Sequence, residues 1–138
     1  MNTELFGVFG DEETFSRFRS PSSFDCVVEG DSITVGVRDV GFGIPGRTDV
    51  HAGEEGLCVL WGEAYLPEPT TTPAKRVLER AGVAGPDVLA DVNGSHLAVV
   101  ESNSSTVSDA SSESGKSAYV ATDQARTWDC FYTDAPGV

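Results

Sequence analysis

Apolar residues along this chain fall in short runs, most of them of strand length. Residues 4–9 form a β-prone run closed by Gly10, and Asp11 then stands where it can cap a short helix carrying Phe15 and Phe18. From Phe24 the period becomes two: 24–29 and 32–38 flank Gly30-Asp31, and Ile33, Val35 and Val37 alternate with Thr34 and Gly36, which predicts a hairpin. Residues 41–46 read as a loop. The stretch 57–65 is too continuously apolar for a half-exposed surface, so it predicts a central strand. Thr72-Pro73 then supplies an N-cap and a first helical position, Val77, Leu78 and Ala81 share one face, and Gly82 offers a stop, which predicts a helix over 73–81. A helical turn is expected over 87–90. Strands over 95–101 and 118–122 bracket residues 102–117, half of which are Ser; that segment cannot bury a core and predicts a mobile hairpin loop without regular structure. Residues 128–132 predict a last strand. The fold class is α+β, antiparallel strands with helices outside, in one domain spanning 1–138 without repeat or linker.

Composition narrows the setting. The 138 residues, 39% hydrophobic and 22% charged, suit one globular domain. No apolar run approaches the ~18 residues that span a bilayer. The first residues carry Glu4 and no basic stretch, so they do not read as a secretory signal; the expected compartment is the cytoplasm, with no membrane partner. Acidic residues number 22 against 9 basic ones, a net charge of -13, and Lys75 and Lys116 are the only lysines. Such a field repels phosphate backbones, which excludes nucleic acid as an expected partner. It also fits a halophilic protein, because salt screens the self-repulsion of an acidic surface. Cys26, Cys58 and Cys130 are widely spaced within apolar stretches, and His51 and His96 lack ligand spacing, so neither a metal nor another cofactor is expected.

Two motif matches carry no chemistry. Ala110 to Ser117 loosely fits a phosphate loop through Gly115-Lys116-Ser117, but a serine tract precedes it and a predicted strand follows, where the motif needs a strand and then a helix. The sequons at Asn93 and Asn103 matter only in an exported protein.

Three stretches are informative: Leu5-Phe6-Gly7-Val8-Phe9; Gly62-Glu63-Ala64-Tyr65; and Gly85-Pro86-Asp87-Val88-Leu89-Ala90-Asp91-Val92-Asn93-Gly94-Ser95-His96-Leu97-Ala98-Val99-Val100, followed by Tyr119-Val120-Ala121-Thr122-Asp123. In this order and spacing the chain resembles the class II glutamine amidotransferase domain of glutamine-hydrolysing asparagine synthetases. The resemblance implies an Ntn-hydrolase-like αββα sandwich, two antiparallel sheets between helices. Because the chain stops at Val138, it also implies a domain incomplete at its C-terminus, either a fragment of a longer synthetase-like protein or a truncated relative.

The family's chemistry uses an N-terminal cysteine whose α-amino group acts as base on the side-chain amide of glutamine. The resemblance puts Thr3 at the nucleophile position, behind Met1 and Asn2, where it implies an inactive group. Where the family has an Asn-Gly-Glu turn that feeds the oxyanion hole, this chain reads Trp61-Gly62-Glu63, and the family's acid for the substrate amino group falls on Pro73. Arg38 or Arg47 aligns with the arginine that grips the glutamine carboxylate. The expectation is an asparagine-synthetase-related module without glutaminase activity, docked on a synthetase domain in a longer chain or a separate subunit, with glutamine as the family's ligand. The alternatives are an amide hydrolase that uses Thr3 after processing, and a small acidic interaction domain.

Overall fold

A computed structural model of the chain describes residues 3–39, 41, 44, 47–103 and 117–123. Its described strands form two antiparallel sheets. The first contains β1 (Glu4–Val8), β2 (Cys26–Glu29) and β3 (Thr34–Arg38) in the order β1-β3-β2. The second contains β4 (Asp49–Gly53), β5 (Gly56–Gly62), β6 (His96–Ser102) and β7 (Ser117–Thr122) in sequential order. Helices α1 (Glu12–Phe18) and α2 (Pro73–Ala84) complete the α+β arrangement, with a 3-10 segment at Gly85–Asp91. No described helix is long and apolar enough to cross a membrane.

Side-chain alternation along the strands decides what packs on what. Val35 and Val37 of β3, with Ile33 before it, meet Leu57, Val59 and Trp61 of β5 and Leu97 and Val99 of β6 between the sheets. The other residues of β5 and β6, Cys58, Leu60, Ala98 and Val100, face away and pack against Ala74, Val77, Leu78 and Ala81 of α2. Both faces of β5 are therefore covered, which is why its sequence is continuously apolar. On the far side of the first sheet, Phe15 of α1 meets Phe6 and Phe24 edge to face, with ring centroids 5.4 and 5.5 Å apart. Gly36 lies under these rings, and a Cβ there would stand 2.8 Å from Phe15 Cζ and Phe24 Cγ.

The sheets are also tied at one end. Glu101 of β6 is fully buried, and its carboxylate accepts from the backbone N–H groups of Asp31 (2.7 Å) and Ser32 (2.6 Å), in the turn between β2 and β3. A hydroxyl hydrogen bond from Ser32 joins them.

Several expectations need correction. β4 was not foreseen, because Asp49-Val50-His51-Ala52-Gly53 offers only Val50 to the inter-sheet core, as an edge strand can. The strand predicted over 57–65 stops at Gly62, and Tyr65 keeps only an isolated bridge to Asn93. Helix α2 runs through Gly82 to Ala84 and ends at Gly85, whose φ of +65° suits glycine. A glycine inside a helix costs ~1 kcal/mol, less than packing of the helix against β4, β5 and β6 returns. Thr72 is the N-cap but its side chain caps nothing; instead Asp49 of β4 accepts from Ala74 N–H at 2.9 Å. The serine-rich segment is not wholly irregular, since Ser102 closes β6 and Ser117 opens β7. Residues 104–116, the strand expected at 128–132 and Cys130 lie outside the described residues.

Candidate functional site

Antiparallel pairing determines which strand ends meet. Glu4 lies opposite Arg38, so the start of β1 adjoins the end of β3; Gly62 lies opposite His96, so the end of β5 adjoins the start of β6. A cleft of about 490 Å³ opens at these ends. Thr3 enters from ahead of β1, Asp39 and Gly41 from behind β3, and Ile44 and Arg47 from the connection to β4. Trp61, Gly62 and Glu63 come from the end of β5, and Ser95 from ahead of β6.

Four residues singled out in the sequence, Thr3, Trp61, Gly62 and Glu63, thus line one cleft, and Arg47 joins them. Arg38 does not line it among the described residues. With Val35 and Val37 turned inward, Arg38 points to the α1 side of the sheet, where its guanidinium reaches Glu4 at 2.7 Å. Of the two arginines that the resemblance offers, Arg47 lines this cleft and Arg38 is not among its described lining residues. Pro73, at the first turn of α2, is also not among the described lining residues.

The backbone donors at the turn after β5 are engaged. Gly62, at φ +96°, donates its N–H to Thr48 Oγ1 at 2.9 Å, and Glu63 donates to the Ser95 carbonyl at 2.8 Å. Thr48 is fully buried and donates a hydrogen bond from its own hydroxyl to Asp39 Oδ2. The other oxygen of Asp39 accepts from Gly41 N–H at 2.8 Å, an Asx turn that folds the chain back after β3. Across the mouth, Arg47 pairs with Glu63 at 2.8 Å, their side chains 55% and 40% exposed. Trp61, 8% exposed, forms an apolar wall.

Sequence reasoning missed Asp39 and Thr48. The Asp-x-Gly spacing of residues 39–41 was a readable turn signal, whereas nothing local to Thr48 announces a buried hydroxyl that joins two sheets. Elsewhere, the Arg19 guanidinium holds the Glu4 carboxyl below its ordinary range, and burial pushes the Cys58 thiol up and the Tyr119 phenol up to about 12. Among the described residues no group of His, Cys, Asp and Glu has metal-binding geometry.

Set against protein-family models, curated proteins and solved structures, the chain matches none.

Proposed function

We propose that the chain is a glutamine amidotransferase-like module that does not hydrolyse glutamine and serves as a docking unit for a synthetase domain, in a longer chain or a separate subunit. The succession of α1, first sheet, second sheet and α2 supports an Ntn-hydrolase-like αββα sandwich. Convergence of Thr3 and Trp61-Gly62-Glu63 on one cleft supports its descent from a catalytic site.

The observation that carries the non-catalytic reading is the engagement of the Gly62 and Glu63 N–H groups by Thr48 and Ser95. Acyl transfer needs donors aimed at the oxygen that gains charge, and one such donor is worth roughly 3 kcal/mol, or a hundredfold in rate. Here the turn offers neither. The nucleophile is equally handicapped: Thr3 has a hydroxyl, and because Asn2 precedes it in the sequence its nitrogen is an amide rather than the free amine that would activate it. Arg47, already paired with Glu63, is poorly placed to hold a second carboxylate.

The test is ammonia release from glutamine by the purified chain. Release at the uncatalysed rate is expected for the wild type and also for Thr3→Cys, because that change leaves Thr48 on the Gly62 amide. Turnover by either protein would reject the reading and favour the hydrolase alternative.

A further inference from the structure

The polarity of the cleft is the reverse of what an oxyanion or carboxylate ligand requires. The backbone donors of the turn after β5 are spent on Thr48 and Ser95. Arg47, the one cation among the described lining residues, is paired with Glu63. Asp39 also lines the cleft, and among the described residues its carboxylate oxygens receive two neutral donors, Gly41 N–H and the Thr48 hydroxyl. A carboxylate has about four acceptor sites, so this one retains capacity for further donors. Thr3 and Ser95 add polar groups around it, and Trp61 and Ile44 supply apolar surface. The net charge of -13 enriches cations near the surface as a whole.

We propose that the cleft binds a small organic cation bearing a primary ammonium group. Asp39 receives the ammonium, and Trp61 and Ile44 hold the apolar stem. Thr48 is a positioning residue: its buried hydroxyl fixes the Asp39 carboxylate and keeps the Gly62 amide from recruiting an anion. At about 490 Å³ the cleft accommodates a ligand of several heavy atoms beyond the ammonium. This inference rests on the cleft lining alone and goes beyond the amidotransferase-like reading. Ammonia release tests that reading, and ligand binding tests this one, so either can fail without the other.

The experiment is a backbone-amide NMR titration of the full chain with n-butylammonium chloride and, separately, sodium butyrate, at matched ionic strength. The expected result is saturable movement concentrated at Gly41, Gly62, Glu63 and Ser95 with the amine and none there with butyrate. Asp39→Asn keeps an acceptor for the Gly41 N–H but reverses the contact with Thr48, whose hydroxyl proton loses its carboxylate acceptor; it should weaken amine binding roughly tenfold, as expected for loss of a charge-assisted hydrogen bond. Glu63→Gln frees Arg47 and should weaken the amine while admitting butyrate; this arm decides the matter if Asp39→Asn does not fold. Amine shifts spread evenly over the acidic surface, no shifts at all, butyrate shifts at the wild-type cleft, or an Asp39→Asn chain that titrates like the wild type would each overturn the proposal.

Discussion

The two helix-covered faces of the molecule are built from different materials. Helix α2 lays four buried residues, Ala74, Val77, Leu78 and Ala81, on the aliphatic outer face of the second sheet. Helix α1 is little more than half as long and buries only Phe15. A short helix brings little area, so the first sheet makes up the difference with aromatic rings and charge. Arg19 lies over Phe6 and Phe24 at 5.5 and 4.9 Å from their centroids, and both Arg19 and Arg38 pair with Glu4. The α2 layer is therefore held mainly by close packing, with the Asp49 carboxylate at its helix start, whereas the α1 layer relies more heavily on charge and so answers more to pH and salt.

The strongest way to probe this contrast is Leu60→Ala, which empties a fully buried site between β5 and α2. It should lower unfolding free energy by about 3 kcal/mol, read by urea titration, with the pH dependence unchanged. Gly36→Ala attacks the other layer: its new Cβ would lie 2.8 Å from two aromatic rings, and rings cannot bend aside. A loss of ~1–3 kcal/mol is expected, accompanied by a changed near-ultraviolet dichroism that Leu60→Ala does not produce. Glu101→Ala removes the tie between the sheets and strands the Asp31 and Ser32 N–H groups, at a cost of ~1–3 kcal/mol. Hydrogen exchange should then show β2 and β3 opening ahead of β5 and β6, whereas in the wild type all four strands are expected to open together.

The smallest effect is electrostatic. The Glu4 carboxyl is held below its ordinary value of 4.5, chiefly by the Arg19 hydrogen bond. Its contribution to stability is therefore complete above that value and is lost as pH falls through the lower folded-state value. Glu4→Gln should flatten the acid limb of the stability profile without abolishing it, because Asp11 and Glu55 are shifted in the same direction by Thr14 and His51. Against this local loss, molar KCl should raise the melting temperature of the wild type by screening the -13 net charge. An unchanged melting temperature would remove the halophile reading.

Elements whose determinants are local were legible in the sequence. Asp11 caps α1 through Thr14 N–H at 2.8 Å, Gly30-Asp31 turns the β2–β3 hairpin, and the unbroken apolar run at Leu57 becomes a strand covered on both faces. What escaped depends on distant partners. β4 exists because β5 pairs with it, and the cap of α2 comes from Asp49 across the fold. Which of Arg38 and Arg47 lines the cleft depends on strand phase: inward Val35 and Val37 put Arg38 on the other face of the sheet, a constraint visible only once the inner face is known. In the same way, Thr3 and the Trp61-Gly62-Glu63 turn could be named from the sequence, whereas the Asp39–Thr48–Gly62 chain that engages the turn needed three separate segments in register.

The proposal that the cleft keeps the outline of an amidotransferase site without its reactivity is tested most directly by intact-mass spectrometry after incubation with a diazo-ketone analogue of glutamine. The account predicts an unmodified chain whose N-terminus is not Thr3. A species beginning at Thr3 that gains the mass of the label would contradict it.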